Sequence, residues 1–344
     1  MHSTAMLVIP ANDLDEAIEQ YLQLGFRLDA IGPADKPTWA ELSMAETAIL
    51  VDALRLESDG PVVRLASTAN GNSWLPPGVE LAQAYDDATV FEPIQASVVS
   101  HESGGGWNVG RAGMRYRDLI PERHGGAFVA SHINVRVGGP VPDYVHYHDV
   151  DFQMIFCHRG WVKVVYEDQG PPFVMEAGEG VLQPPGIRHR VLESSDDLYV
   201  VELTAPAVHR TNIDHAMTLP TDRIDRHRLF GSQQFARDQA ADTNWAPTAF
   251  DGYEEMISEI GVATNGVAQV RLLKATPGID SGLPLEHRGR LRFLFVLSGW
   301  CSVASAEGET VQLVEGSSVT VAAGDAVSLS VAAAGTELLD VLVH

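Results

Sequence analysis

Three histidines and one glutamine are spaced so that they could hold a metal ion. His146 and His148 are separated by one residue in "HYHDVDFQ", and side chains at positions i and i+2 of a β-strand lie on one face of it. Gln153 follows five residues after His148, and His189 follows the corner "PPGIR". Imidazole nitrogens and amide oxygens can ligate divalent transition metals. The spacing predicts a metal chelate; the alternative is that these histidines are surface or hydrogen-bonding residues.

The glutamine determines the charge that such a site would carry. A carboxylate at position 153 would cancel one unit of metal charge, whereas the amide of Gln153 would cancel none. The bound ion would then be a strong Lewis acid that favours an anionic or carbonyl-bearing ligand and lowers the pKa of bound water. Zinc, nickel and iron all accept imidazole ligands, so redox chemistry stays open. Alternatively, Gln153 does not ligate, which leaves three histidines with an open face.

Two further residues are candidates for proton transfer. Glu202 stands among apolar neighbours in "DDLYVVELTAP", and an unpaired carboxylate is expensive to bury. It either faces the metal cavity as a general acid/base or pairs with an arginine such as Arg190. Tyr144 shares the strand parity of His146 and His148, so it could line the same pocket or serve only in packing.

The stretch "SHINVRV" carries candidate substrate-binding residues. His132, Asn134 and Arg136 alternate with apolar residues, so one polar face looks into either the cavity or solvent. If that face looks inward, Arg136 is the natural anchor for a carboxylate or phosphate, because its planar guanidinium binds two oxygens at once. Arg190, if it is not paired with Glu202, is a further candidate for substrate binding.

The elements that would position these residues are short strands. From residue 126 onward, β-branched and aromatic runs recur between turns rich in Gly, Pro and Asp. Two stretches that begin "RGWVKVVY" and "SGWCSVAS" repeat the same order of Gly-Trp, strand, turn and strand. This internal repeat predicts two barrels, at 126–208 and 261–344, joined by a polar connector at 209–260.

The first of these barrels resembles the cupin family in two motifs. The residues that match are Gly139, His146, His148, Gln153 and Gly160 for the first motif, and Gly178, Pro184, Gly186 and His189 for the second. Gln153 stands where the family usually has Glu, and Glu193 stands where Asn is common. The resemblance implies a small jelly-roll barrel that holds one divalent metal on the three histidines and the residue at position 153.

The second barrel has lost this ligand pattern. Aligned on the Gly-Trp pair, its His-x-His positions hold Leu285 and His287, the glutamate position holds Arg292, and the late histidine position holds Val327. A single histidine cannot hold a metal as tightly as three. We therefore expect a metal-free, structural barrel, as the resemblance to two-barrel cupins with one degenerate half implies.

The first 60 residues predict a small separate module. "MLVIP" is apolar, "DLDEAIEQYLQL" has helical spacing, and three strand-like runs follow, which gives the order βαβββ. This order, with "AIEQYLQLGF", resembles one module of the glyoxalase/bleomycin-resistance family, also called vicinal oxygen chelate. The first strand has no His or Glu in a ligand position, which favours an accessory or dimerising role. Residues 61–125 read as an irregular β extension of the barrel that follows.

Composition points to a small-molecule partner in the cytoplasm. The chain has 344 residues with 23 basic and 46 acidic ones, a formal charge of -23 that disfavours nucleic acid and anionic membranes. Its two cysteines, Cys157 and Cys301, support no disulfide scaffold, and no apolar run is long enough for a signal peptide or a membrane span. We expect a cytoplasmic protein that forms a homodimer.

These features predict a mainly β protein with two cupin jelly-roll barrels and a small N-terminal βαβββ module. The resemblance implies a metal-dependent enzyme that acts on a small oxygenated, carboxylate-bearing metabolite by Lewis-acid and acid/base chemistry, as an isomerase, lyase or hydrolase. Two alternatives stay open. One is an iron-dependent dioxygenase, and the other is a non-catalytic small-molecule binding or sensor protein.

Overall fold

A computed structural model describes residues 5–55, 60–67, 78–83, 97–110, 113–239, 244–277, 282–305 and 308–344. Strands dominate these ranges, as the recurrent short β runs predict. Portions of the predicted segments 1–60, 61–125, 209–260 and 261–344 lie outside the described residues. No helix within the described ranges is long and apolar enough to cross a bilayer.

The N-terminal module has the predicted βαβββ order. Its elements are β1 (Ala5–Pro10), α1 (Leu14–Gln23), β2 (Arg27–Gly32), β3 (Trp39–Met44) and β4 (Thr47–Asp52), followed by β5 (Val62–Ser67) and β6 (Val79–Gln83). Asp13 caps α1 by accepting the backbone N–H of Glu16 at 3.0 Å. Leu14 and Ile18 of α1 lie in one buried cluster with Leu42 of β3. This cluster is the module's own core.

Three short strands lead from the module into the barrels. They are β7 (Val98–Ser100), β8 (Asn108–Val109) and β9 (Arg115–Asp118), and a 3-10 turn at Pro121–Gly126 follows them.

The first barrel consists of two facing sheets. Its strands are β10 (Val129–Val135), β11 (Gly139–Pro140), β12 (His146–His148), β13 (Phe152–Arg159), β14 (Trp161–Tyr166), β15 (Phe173–Glu176), β16 (Gly180–Leu182), β17 (His189–Ser194), β18 (Leu198–Ala205) and β19 (Thr211–Ile213). One sheet has the order β15-β14-β17-β12-β19, and the other has the order β16-β13-β18-β10-β9-β8. Val162, Met175 and Val200 belong to the buried cluster between them.

The N-terminal module and the first barrel share one continuous sheet. In β19, Thr211 lies opposite His148 of β12 on one side and opposite Ile31 of β2 on the other. The sheet therefore runs from β12 through β19 into β2, β3, β4 and β1. Arg210 and Glu41 form a bidentate ion pair at the same junction, with N–O distances of 2.8 and 2.7 Å. The module is thus joined through β19 to the strand that carries the histidine pair.

The connector and the second barrel complete the chain. Their elements are β20 (Leu229–Phe230), β21 (Gln233–Gln234), β22 (Ala236–Asp238), β23 (Ala246–Pro247), β24 (Tyr253–Ile257), α2 (Glu259–Ala263), β25 (Ala268–Ala275), β26 (Leu283–Pro284), β27 (Leu291–Ser298), β28 (Trp300–Ala304), β29 (Thr310–Val314), β30 (Ser318–Val321), β31 (Ser328–Ala332) and β32 (Glu337–Val343). The two sheets of the second barrel have the orders β24-β25-β32-β27-β30 and β26-β31-β28-β29. β22 extends the first barrel at β16, and β7 pairs with β30.

The two barrels pack through a shared apolar layer. Phe152, Met154 and Phe156 of β13 lie in one buried cluster with Phe293 and Phe295 of β27. Because side chains alternate along a strand, the intervening residues of β13 and β27 point into their own barrels. Each large apolar side chain buried in this way stabilises the fold by about 1.5–3 kcal/mol. The layer holds the two barrels together as one unit.

Candidate metal centre

His146, His148 and His189 converge inside the first barrel. One nitrogen from each ring lies within 4.8 Å of the other two, and all three side chains are buried. β12 supplies the pair at i and i+2, and β17 places His189 directly opposite His146 in the antiparallel register. The three predicted histidines therefore meet in one cluster.

Backbone hydrogen bonds determine the tautomers of two of these rings. The Nδ1 of His146 lies 2.9 Å from the carbonyl oxygen of Tyr144, and the Nδ1 of His189 lies 3.1 Å from that of Ile187. A carbonyl oxygen only accepts, so each Nδ1–H donates and each neutral ring keeps the lone pair of its Nε2. Carbonyl groups hold metal-binding histidines in this way in many sites.

The third ring is held by a side chain from the junction strand. The Oγ1 of Thr211 lies 3.1 Å from the Nδ1 of His148, and both residues are buried. Thr211 is also paired through its backbone with β2 of the N-terminal module. The orientation of His148 therefore depends on the strand that joins the module to the barrel.

The donor set fits a divalent transition metal. All three rings engage their Nδ1 in hydrogen bonds, which leaves Nε2 as the ligand atom, and imidazole suits zinc, nickel and iron. Within the described residues, no carboxylate or thiolate joins the cluster at this spacing. Asp143 lies on the outer side of His146, with 3.6 Å between its Oδ1 and the Nδ1. Neutral histidine ligands would leave the charge of the metal uncompensated.

Gln153 is engaged at both ends of its amide. Its Oε1 accepts from the Nε2 of Gln183 at 3.0 Å, and its Nε2 donates to the Oε1 of Glu202 at 2.5 Å. Gln183 in turn accepts the hydroxyl proton of Tyr166 at 2.6 Å. The ligand role of Gln153 stays a prediction, since an amide oxygen has a second lone pair. The hydrogen bonds form a directed chain from Tyr166 to Glu202.

Tyr166 begins this chain and also supports the metal cluster. Burial raises the pKa of its phenol, and the nearby carboxylate of Glu202 raises it further, so the hydroxyl stays protonated and donates. Its ring stacks on His189, with ring centroids 5.5 Å apart and planes inclined by 24°. The sequence motifs do not identify Gln183, Tyr166 or Thr211 as residues of the site. Among these three, only Gln183 could have been suspected from the sequence, because it is the only polar residue in "GVLQPPG". Tyr166 and Thr211 acquire their roles from pairing between distant strands.

The histidines open onto a small cavity of about 100 Å³. Its polar lining consists of His146, His148, His189, Tyr116, Tyr166, Gln183, Ser194 and Glu202. The remaining walls are apolar and come mainly from Val, Ile, Leu and Met side chains of the barrel, with Ala34 from the N-terminal module. None of the described lining residues is Lys or Arg. Such a cavity favours a compact ligand with an apolar skeleton and few oxygen atoms.

Of the two predicted proton-transfer residues, the structure places only Glu202 in the cavity wall. The ring of Tyr144 packs against His146 from outside, with 5.8 Å between ring centroids, and lines a separate groove. Arg190 lies on β17 between His189 and Val191, which both line the cavity. Strand alternation therefore directs Arg190 to the opposite face, away from Glu202 and from a bound substrate.

The other predicted substrate-binding residues do not line the cavity either. Ile133 and Val135 of β10 line it, so His132, Asn134 and the exposed Arg136 point away. The polar pattern of this strand predicts a face toward either a ligand or solvent. Instead, His132 packs against Phe295 of the second barrel, Asn134 donates to the backbone carbonyl of Leu198 in its own barrel, and Arg136 is exposed. Local sequence does not reveal these three environments.

His132 bridges the two barrels. Its Nε2 lies 3.2 Å from the Nδ1 of His158, whose Nε2 donates to the carbonyl of Leu297 in the second barrel at 2.8 Å. Arg117 approaches the other ring nitrogen of His132 at 3.4 Å. Burial lowers the pKa of His132 to about 2, and repulsion from His158 and Arg117 adds to this effect. His132 is therefore a neutral structural residue.

In the second barrel, the positions equivalent to the metal-binding residues are occupied by residues with structural contacts. Leu285 and Val327 belong to its buried apolar cluster, and the Nε2 of His287 donates to a backbone carbonyl at 2.7 Å. Arg292 forms a buried two-point ion pair with Asp340, with N–O distances of 3.0 and 2.7 Å. Among the described residues, the only group of histidines and acids with metal-binding spacing is the one in the first barrel.

No family model and no curated protein matches this sequence. Solved structures match its fold. Salicylate 1,2-dioxygenase from Pseudaminobacter salicylatoxidans is 16% identical with a TM-score of 0.56, over 73% of this chain and 85% of that one. A Bacillus subtilis oxalate decarboxylase variant is 10% identical with a TM-score of 0.51, over 71% and 76% of the two chains. The 7S globulin of Momordica charantia is 14% identical with a TM-score of 0.50, over 71% and 83%.

These similarities concern the fold, since no identity among them exceeds 16%. Together with the strand order, they confirm the predicted fold class: a mainly β chain with two cupin-type jelly-roll barrels and an N-terminal βαβββ module.

Proposed function

We propose that the first barrel is the active site of a metal-dependent enzyme that acts on a small oxygenated molecule by acid/base chemistry. The observation that carries this proposal is the arrangement of three buried imidazoles and one carboxylate, Glu202, around a single cavity. A metal held by His146, His148 and His189 would supply Lewis acidity toward the oxygen atoms of the substrate.

The cavity wall indicates the class of substrate. Since no Lys or Arg is among its described lining residues, an anionic substrate group finds complementary charge only at the histidine end, where the metal is held. Aliphatic side chains such as Val162, Val191 and Leu198 would cover the carbon skeleton. A short 2-oxo or 2-hydroxy carboxylic acid meets both requirements.

Glu202 is the residue we assign to proton transfer. Its Oε1 is held by the Nε2 of Gln153 at 2.5 Å and by the Oγ1 of Thr204 at 3.4 Å, so the carboxylate has a defined orientation in the cavity wall. Hydrogen-bond donors stabilise the ionised form of a carboxylate, which is the form that accepts a proton. Glu202 would remove a proton from a substrate carbon and return it to the same or a neighbouring atom. Isomerase and lyase reactions share this step.

An iron-dependent dioxygenase is the second candidate. The observations that favour it are the three-histidine donor set inside apolar walls and the similarity in fold to salicylate 1,2-dioxygenase. In such a reaction both atoms of O₂ would enter the product, and the apolar walls would exclude water from the reacting molecule. Oxygen uptake that requires iron and is absent with zinc would favour this candidate over acid/base chemistry.

Exchange of substrate protons with solvent tests the first proposal. Protein loaded with zinc, nickel or iron is incubated without oxygen in D₂O with a panel of short 2-oxo and 2-hydroxy carboxylic acids, and deuterium incorporation is followed by NMR. We expect incorporation with the wild-type chain and a rate lower by about 100-fold or more with Glu202→Gln, because general base catalysis contributes on this scale. The metal content of the variant should stay at the wild-type level.

Glu193→Gln is the matched control, since Glu193 lies on β17 of the same barrel but does not line the cavity. It should exchange at the wild-type rate. Equal exchange in the two variants would contradict the role of Glu202. A panel member that binds tightly and neither exchanges nor reacts would instead favour a binding or sensor protein.

A further inference from the structure

The metal cavity has a larger neighbour. A groove of about 690 Å³ lies between the N-terminal module and the first barrel, beside the cavity of about 100 Å³. Leu14 and Ile18 of α1 line its module side, and Asp143 and Tyr144 line its barrel side. The last two also approach the Nδ1 of His146 from outside, through a carboxylate oxygen at 3.6 Å and a carbonyl oxygen at 2.9 Å. The groove therefore lies directly behind the metal centre.

A thin partition separates the groove from the cavity. Three chain segments each contribute one residue to the cavity and an adjacent or nearly adjacent residue to the groove. The residues that line the cavity are Ala34, Met114 and Val141. The residues of the same segments that line the groove are Lys36 and Pro37, Gly113, and Pro142, respectively. Because neighbouring Cα atoms are about 3.8 Å apart, the two spaces are separated by about the thickness of one chain.

The module's part of the partition is held firmly in place. The carboxylate of Asp35 forms an ion pair with Arg123. A Cβ at Gly110 would lie 2.9 Å from the carbonyl oxygen of Asp35, so only glycine allows the backbone of the 109–110 segment to come this close. The preceding strand β2 is hydrogen-bonded to β19 of the barrel. The segment at residues 33–37 is therefore fixed in position, and its Ala34 forms part of the cavity wall.

We propose that Ala34 is a specificity-determining residue, because the small size of its side chain in the cavity wall sets how large a group a bound ligand can carry. This inference rests on the proposed function. Ala34 is the one described cavity-lining residue that the N-terminal module contributes. Its methyl group is the smallest side chain other than hydrogen, so it leaves room at the partition that a larger residue would fill. The module thus selects among acids that chelate the metal through their oxygen atoms, by the size of the organic group attached to those atoms.

Chelator binding to the cobalt(II)-loaded full-length protein tests this proposal. The probes are acetohydroxamate and benzohydroxamate, which present the same pair of oxygen atoms on a small and a large group, and binding is followed in the visible spectrum of the cobalt. In Ala34→Phe we expect benzohydroxamate to bind roughly tenfold or more weakly than in the wild type, because an added ring overfills a packed site. The affinity for acetohydroxamate should change by less than about twofold, because its methyl group is too small to overfill the site.

Ala48→Phe is the matched control, because Ala48 is an exposed residue of β4 in the same module. It should bind both probes like the wild type. Cobalt content is measured in every variant. If Ala34→Phe does not fold, Ala34→Val is used instead, and it must weaken the binding of benzohydroxamate more than that of acetohydroxamate, by smaller factors.

The possible failures are distinguishable. Equal losses for the two hydroxamates, or no loss for either, would overturn the role of Ala34 while the metal site stands. Failure of the wild-type chain to bind cobalt, or of its cobalt spectrum to respond to either hydroxamate, would refute the proposed function and this inference with it.

Discussion

Arg292 holds Asp340 in the second barrel as Gln153 holds Glu202 in the first. Gln153 and Arg292 are each the second residue of their strands, β13 and β27, and each acidic partner lies opposite the residue two positions further along that strand. In the second barrel the guanidinium neutralises the carboxylate. In the first barrel the amide is neutral and does not cancel the charge of Glu202. Equivalent positions therefore hold a structural ion pair in one barrel and a candidate base in the other.

Metal binding should depend on the first barrel alone. His148→Ala removes one of three converging ligands and is expected to reduce bound metal from about one ion per chain to nearly none. His287→Ala, the equivalent change in the second barrel, should leave metal content unchanged, although the carbonyl that loses its donor lowers stability by about 1–3 kcal/mol. Elemental analysis of both variants, purified in parallel, checks this. Equal metal losses would refute the assignment of a single site.

Thr211 should tune metal affinity without being a ligand. Thr211→Val removes the hydroxyl that orients His148 and is expected to weaken metal binding by about 10–100-fold, the usual effect of losing such a partner. Thr320→Val removes a buried hydroxyl of the second barrel and serves as the control. Competition with a chelator of known affinity measures the difference. An unchanged affinity in Thr211→Val would show that the hydroxyl does not orient the ring.

Replacing Gln153 should affect proton transfer more than metal binding. The three histidines converge without its help, so Gln153→Ala is expected to keep about one metal ion per chain. Glu202 would lose the donor at 2.5 Å that orients it, and solvent exchange should slow by roughly tenfold or more. Gln234→Ala in the connector is the control. Metal loss as complete as that of His148→Ala would establish Gln153 as a ligand.

The buried ion pair of the second barrel should contribute stability that acid removes. Burial raises the pKa of Asp340, but the guanidinium groups of Arg292 and Arg271 outweigh burial and hold the pKa below its ordinary value. The contribution is therefore complete above the unfolded pKa of about 3.9 and is lost as pH falls through the lower folded value.

Asp340→Asn should consequently lower the free energy of unfolding by about 3–5 kcal/mol at pH 7, because it leaves the buried guanidinium of Arg292 without its carboxylate, whereas Arg271 keeps its ion pair with Glu255. The difference from the wild type should shrink at about pH 3, because the Asp340 carboxylate of the unfolded chain, with a pKa of about 3.9, is largely protonated there. Urea unfolding at both pH values measures it, with Asp225→Asn at an exposed surface pair as the control. A difference that is the same at both pH values would contradict the lowered pKa.

The interface between the barrels should be sensitive to mild acid. The folded pKa of His132 is lowered to about 2, so below about pH 6.5 the unfolded chain binds a proton that the folded chain does not. Stability should therefore fall by about 1.4 kcal/mol per pH unit for this group as pH drops from about 6.5. Chemical unfolding at pH 7.5 and 5.5 checks this, and His132→Gln should reduce the slope. His215→Gln, at an exposed histidine, should leave it unchanged.

The sequence by itself determined the features that depend on neighbouring residues. The spacing of His146 and His148 places them on one face of a strand, because β alternation is a local property. The repeated Gly-Trp pattern predicted two barrels, and the first 60 residues predicted the βαβββ order, because turns and periodicity are encoded within a few residues. The late His189 was found through a motif with defined spacing.

Only the tertiary structure decided which face of each strand meets the cavity. Alternation gives a strand two faces but does not say whether a polar face borders a ligand, solvent or another barrel. Glu202 faces the cavity and His132 faces the second barrel, although both are polar residues on strands whose side chains alternate between two faces. Ala34 reaches the metal cavity because β2 and β19 pair across about 180 residues of sequence, and Thr211 reaches His148 because β19 pairs with β12. Such contacts depend on the packing of distant segments, which no local pattern specifies.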